Sequence, residues 1–157
     1  MDAPVIPIQE WLSAFREAAD DVAASAMRFD EACASRKDSP HRPGAFIALL
    51  SDRNSVHVGL TASPDGCRAL ARGLLGLRTD QEIDEADVMD GVSEVMNIVA
   101  GKVKSRMSGR DGKLRLGLPM FLPNPASAGQ GAESASADIK IGPVDCRLVV
   151  FRSARAA

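Results

Sequence analysis

A chain of 157 residues, 45% hydrophobic and 25% charged, has the size and composition of one soluble globular domain. A formal net charge of −2 offers no bulk attraction to nucleic acid or anionic lipid, and five Phe, one Trp and no Tyr leave little surface for base stacking. Cys33, Cys67 and Cys146 are odd in number and lack CxxC spacing. Neither a disulfide framework nor a zinc site is therefore expected, and the thiols read as buried residues of a reducing compartment.

The N terminus, MDAPVIPIQEW, lacks a basic segment followed by an apolar run, and no stretch reaches the roughly 20 apolar residues of a membrane span. A cytoplasmic, soluble protein is expected. Residues 8–27 place Ile8, Trp11 or Leu12, Phe15, Ala19, Val22 and Met27 near helical spacing in an alanine-rich context, which predicts a first helix. RFDEACAS (28–35) is a weak candidate strand, and the following RKDSPHRPG is a loop. AFIALLSD (45–52) and SVHVGLTAS (55–63), separated by Arg53 and Asn54, predict an antiparallel hairpin. Ser63 can then cap a second helix and Pro64 can open it, with Leu70, Leu74 and Leu75 as its apolar stripe. The acidic RTDQEIDEAD supplies carboxylates where the dipole of the next helix favours them.

Over residues 85–107, Val88, Val92, Val95, Met96, Val99, Val103 and Met107 form a continuous apolar face, the strongest helix signal in the chain. KLRLGLPMFLP (113–123) reads as a strand with Pro119 at a bulge or sheet edge. NPASAGQGAESASA (124–137) reads as a flexible hairpin loop. DIKIGPVDCRLVVF (138–151) then closes the sheet as one bent strand or two short ones, and residues 152–157 form a frayed tail. This order predicts one α+β domain over residues 1–157, an antiparallel sheet covered by long helices.

At about 100° per residue, Asp90, Glu94, Asn97 and Gly101 share one stripe of the 85–107 helix, opposite Val92, Met96, Val99 and Val103. A carboxylate and an amide therefore project together from the solvent side. Gly91, Ser93, Ala100 and Gly101 keep the flanks low, although each interior glycine costs about 1 kcal/mol relative to alanine. Such a helix looks shaped for another backbone to approach. Glu-x-x-Asn by itself is equally a common solvated pair. His41 and His57 have no Cys or carboxylate at ligand spacing, and no metal site is expected.

The wider stretch DVMDGVSEVMNIVAGKVKSRM resembles the signature helix of the CheX/CheC-type chemotaxis phosphatases, Asp-x-x-x-Glu-x-x-Asn-x-x-x-Gly-x-x-Lys. Asp90, Glu94, Asn97, Gly101 and Lys104 match it. The resemblance extends to the hairpin and helix before it and to LGLPMF after it, across roughly residues 45–122. It departs at Gly91 and Ser93, where relatives often carry alanine and glycine, and at the DRN turn of the hairpin.

The resemblance implies a CheC-like fold and a hydrolase acting on the aspartyl phosphate of a CheY-like response regulator in chemotaxis or two-component signalling. Asn97 would orient the attacking water, and Glu94 would anchor the regulator through its active-site lysine. Asp90, Gly101 and Lys104 would belong to the partner-binding surface. Such chemistry needs positioning and electrostatics rather than a covalent intermediate, and an uncharged amide can hold water without repelling phosphate. The implied Mg2+ is carried by the regulator, so no cofactor of its own is expected.

CheC-like relatives carry the motif on two helices. Here the first helix offers only Glu17 and Asp20, and an aspartate repels phosphate and has no amide to donate. One site per chain is expected, closest to CheX-like members, which form homodimers. The alternative is a non-catalytic module of the same fold that docks a receiver domain. A ligand-binding domain would need a polar-lined cavity, of which the sequence gives no sign.

Overall fold

The computed structural model describes residues 5–30, 42–52, 55–110, 113–123 and 133–152. Helix α1 spans Ile8–Ser25 and buries Ile8, Trp11, Leu12, Phe15, Ala18, Ala19 and Val22 on one side. Its first turn is fastened by Pro7, whose carbonyl accepts from the Glu10 N–H at 3.0 Å. Strands β1 (Gly44–Leu50) and β2 (Ser55–Thr61) form the expected antiparallel hairpin, in register from Gly44 opposite Thr61 to Leu50 opposite Ser55. Their alternation turns Ala45, Ile47, Leu49, Val56, Val58 and Leu60 into the core.

Helix α2 (Pro64–Leu75) starts as the sequence predicts: the Ser63 hydroxyl oxygen accepts the Gly66 N–H at 3.0 Å, and Pro64 occupies the first turn. Helix α3 (Glu85–Met107) is capped by Asp84, whose carboxylate accepts the Asp87 N–H at 2.8 Å. All seven residues of the apolar face expected from its periodicity are buried.

The predicted strand over 113–123 is two short strands, β3 (Arg115–Leu116) and β4 (Met120–Leu122), both paired antiparallel to β1. Gly117, Leu118 and Pro119 separate them, since proline cannot donate to the ladder. Strands β5 (Glu133–Ile141) and β6 (Val144–Arg152) form a second hairpin, turning at Gly142 with φ 57, a backbone region that favours glycine.

Three expectations are corrected by this hairpin. Glu133–Ala137 are strand rather than flexible loop, because an edge strand needs apolar side chains on one face only and Ala135 supplies the buried contact there. The closing segment is two nine-residue strands instead of one bent or two short ones. Arg152, expected in the tail, ends β6 opposite Val56 and Glu133, and its guanidinium donates to the Ile6 carbonyl at 2.9 Å.

The weak strand expected over 28–35 is absent at Arg28, Phe29 and Asp30. The Arg28 N–H donates to Gly73 O at 2.8 Å, and the Phe29 ring lies over Gly73 and Gly142 instead. Residues 31–41, with Cys33 and His41, lie outside the described residues, as do the hairpin tip at 53–54, residues 124–132 of the expected loop and the tail from 153.

The sheet order is β3-β1-β2-β6-β5, with β4 beside β3 on the same strand, and every described pairing is antiparallel. The three helices share the core-facing side, with α1 over β5 and β6, α3 over β1, and α2 against α3 and β6. This is an α+β fold whose longest helix is held by the sheet below and by a helix on each side.

Candidate active site

Burial of the valine and methionine face of α3 leaves its opposite stripe outward. Asp90, Glu94 and Lys104 are exposed, while Asn97 and Gly101 are half-buried. Glu94 and Asn97 stand one turn apart, about 4.5 Å along the axis. Among the described residues, neither side chain has a hydrogen bond or ion pair, so both remain available to a partner. The helix beneath them is rigid for a plain reason. Val92, Val95, Met96 and Val103 are fully buried, and each contributes roughly 1.5–3 kcal/mol of burial energy.

The low flanks divide into two kinds of position. A Cβ on Gly91 would lie 2.7 Å from the Ala71 Cβ and 3.0 Å from its Cα, so this glycine permits the close crossing of α2 and α3. Ala100 is likewise buried inside the molecule. The expectation that all four small residues admit an outside backbone is corrected for these two. Gly101 differs, since a Cβ there would meet nothing within 4 Å. The open patch is therefore Gly101 with half-buried Ser93 beside the Glu94–Asn97 stripe.

The first helix does not repeat the arrangement. Arg106 of α3 bonds to Asp21 and reaches Glu17 at 3.5 Å, which commits the Glu17 carboxylate to an ion pair between helices. Asp20 lines a shallow depression with Arg16, Asp138, Lys140 and Asp145 against the β5–β6 hairpin. Sequence reasoning missed Arg106 as the tie between α1 and α3. Its partners are 85 and 89 positions away along the chain, and no local pattern links them.

Other polar groups have structural roles. His57 stacks on Phe151 across the β2–β6 pair, with ring centroids 5.1 Å apart and planes within 11°, on the sheet face away from the helices. The Cys67 thiol donates to the Pro43 carbonyl at 3.5 Å, and burial pushes its pKa up to about 11. Burial likewise pushes Cys146 up to about 12. Both thiols therefore stay protonated near neutrality and are poor nucleophiles or metal ligands. Among the described residues, no group of three or more His, Cys, Asp or Glu is placed to hold a metal ion. A cleft of about 380 Å³ between the N-terminal ends of α2 and α3 is walled by Met89 and Phe121 and is distinct from the Glu94–Asn97 stripe.

Among the described residues, this stripe carries no Ser, Cys or His beside its carboxylate and amide other than Ser93. It is one face of a packed helix bearing an amide and a carboxylate that no neighbouring described residue engages. The chain matches the family model described as "Chemotaxis phosphatase CheX" over residues 44–135. No curated protein matches it. Among solved structures it is similar to the chemotaxis protein CheX from Desulfovibrio desulfuricans, at 14% identity and TM-score 0.70, covering 92% of this chain and 99% of that one. It is also similar to a putative chemotaxis protein from Desulfovibrio vulgaris Hildenborough, at 16% identity and TM-score 0.68, covering 96% and 98%. A third similar structure is a CheX-CheY-BeF3-Mg2+ complex from Borrelia burgdorferi, at 14% identity and TM-score 0.65, covering 90% and 96%. The likeness of these structures carries the fold, and the family match spans more than half of the sequence: the chain belongs to the CheX chemotaxis phosphatase family.

Proposed function

We propose that this protein dephosphorylates a CheY-like response regulator, with Asn97 orienting the attacking water and Glu94 anchoring the regulator. The observation that carries the proposal is the pairing of an uncommitted carboxylate and amide on the free face of a rigid helix. The family's name supports hydrolysis of phosphate, and the Borrelia complex holds a CheY partner with BeF3 and Mg2+.

In this reading Asn97 enters the regulator's phosphorylation cleft and its side-chain amide holds the attacking water by hydrogen bonding. The water's oxygen attacks phosphorus in line with the aspartyl oxygen. The phosphorus–oxygen bond to the aspartate breaks, leaving the free carboxylate and inorganic phosphate. Mg2+, bound in the regulator, supplies charge stabilisation for the phosphoryl oxygens. Glu94 pairs with the regulator's active-site lysine, and Gly101 leaves room for its backbone. Asp90 and Lys104 complete the partner surface.

The whole chain is read as one such cytoplasmic domain with one site, working as a homodimer. The apolar C-terminal strand Cys146–Phe151 offers no free edge to a second copy, because β6 lies between β2 and β5. Pairing through the sheet is left to its outer strands, β5 at one end and β3 with β4 at the other. Light scattering at twice the 16.6 kDa chain mass supports the dimer, and the monomer mass at all concentrations removes it.

The function is tested by phosphate release from a panel of phosphorylated receiver domains with and without the protein. Acceleration for at least one receiver, lost in Asn97→Ala, is expected. Binding to activated receivers without acceleration would replace the enzyme with a non-catalytic docking module.

A further inference from the structure

The charges of α3 are sorted along its length. Glu85, Asp87, Asp90 and Glu94 occupy its first ten residues, and Lys102, Lys104 and Arg106 its last six. The helix dipole accounts for charges of the first and last turns, but Asp90 and Glu94 lie well inside the helix. Two cations at this end of the helix are already committed. Arg106 is held by Asp21 and Glu17, and Arg110, just past the helix end, is held by Glu10. Lys102 lies about 140° around the helix from Asn97. Lys104 is therefore the cation of the described residues that stands on the Asn97 stripe, and it is exposed.

Asp90 and Lys104 are each seven residues from Asn97, on opposite sides of it. Seven residues are two turns, about 10.5 Å along the axis and only about 20° around it. The amide thus sits midway on a short dipolar strip, negative toward the start of α3 and positive toward its end. A partner whose surface presents a cation near Asp90 and Glu94 and an anionic group near Lys104 gains at both ends. Turned end for end, the same partner would meet like charges at both.

We propose that Asp90 and Lys104 are positioning residues that set the direction in which the phosphorylated receiver lies along α3. The receiver's lysine is directed to the Asp90–Glu94 end and its anionic surface to Lys104, and its phosphorylation cleft meets Asn97. This deepens the phosphatase reading and rests on it. Such exposed charges act mainly on the encounter, raising the association rate and rejecting wrong orientations rather than stabilising the final complex.

The test inverts the strip without changing net charge, in the double variant Asp90→Lys/Lys104→Asp. Its probe is a CheY-type receiver domain activated with BeF3 and Mg2+. Association rates are measured at low and high salt, beside Lys102→Asp and Lys104→Asp. The inverted variant is expected to associate about 10-fold more slowly than wild type at roughly 20 mM salt. The difference should shrink to within about 2-fold near 300 mM, where screening is short-ranged. Lys104→Asp should slow association more than Lys102→Asp. Should the inverted protein lose its fold by circular dichroism, the neutral pair Asp90→Asn/Lys104→Gln is used, with an expected slowing of about 3-fold at low salt.

Equal rates for wild type and the inverted or neutral pair overturn the proposal and leave the phosphatase reading in place. Equal effects of the Lys102 and Lys104 changes also overturn it, because net charge would then suffice. Failure of wild type to capture any receiver overturns both readings together.

Discussion

Helices α1 and α3 both carry a glutamate followed three residues later by a short polar residue, Glu17 with Asp20 and Glu94 with Asn97. In α1 the glutamate is tied to Arg106, and the aspartate faces the charged β5–β6 hairpin. In α3 both side chains are uncommitted among the described residues and stand on a helix packed from beneath and from both sides. Equal spacing therefore does not make equal sites. What separates them is whether neighbouring elements consume the polar groups or leave them for a partner.

The sharpest way to break this comparison is Asn97→Ala. Turnover of phosphoreceiver should fall by about 10²-fold, equivalent to roughly 2.7 kcal/mol of barrier, with binding and melting temperature little changed. The amide lies opposite the buried stripe, so loss of folding is not expected. Full activity in a folded Asn97→Ala protein would abolish the distinction between the two helices.

The converse change is Asp20→Asn, which gives α1 the same Glu-x-x-Asn pattern. In the Asn97→Ala background it should restore no measurable phosphate release, because Glu17 remains bound to Arg106. Recovery of even a tenth of wild-type turnover would show that residue identity, rather than availability, decides the site.

Smaller effects are expected for the anchor and for the glycines. Glu94→Ala should weaken receiver binding by about 10-fold and Glu94→Lys further, by placing like charges opposite each other. Equilibrium binding of an activated receiver checks this. Gly91→Val should lower stability by roughly 1–3 kcal/mol in chemical denaturation, since its side chain would strike Ala71. Gly101→Ala has open space around it and should raise stability by about 0.5–1 kcal/mol through helix propensity, while hindering the receiver's approach.

Removing the tie between the helices gives an effect as small as that of Gly101→Ala. Arg106→Ala should cost about 0.5–1 kcal/mol in the same denaturation experiment, because its partners are solvent-exposed pairs. The turnover of wild type should be retained, since Arg106 points away from the Asn97 stripe.

Much of this contrast was readable before any fold was known. The buried face of α3 and its outward stripe follow from the 3.6-residue spacing of its valines and methionines, which is local in origin. The same holds for Ser63 and Pro64 at the start of α2. With their small polar side chains, residues Glu133–Ala137 resemble a loop in sequence. They become a strand only when β6 supplies a ladder of hydrogen bonds. The apolarity of Cys146–Phe151 reports burial of its side chains, and only the sheet order shows that its backbone is paired on both sides.

Gly91 and Gly101 show the division most clearly. By sequence alone both are small residues beside the Glu94–Asn97 pair, and their shared type suggests a shared purpose. The crossing of α2 assigns Gly91 to the interior, and the absence of any neighbour within 4 Å leaves Gly101 to the surface. Local periodicity thus determined that residues 85–107 form a helix and which of its faces would point outward. Tertiary packing decided which polar and small residues remained free, because close approaches and ion pairs between distant segments depend on how elements cross, and residue spacing along one helix does not encode that.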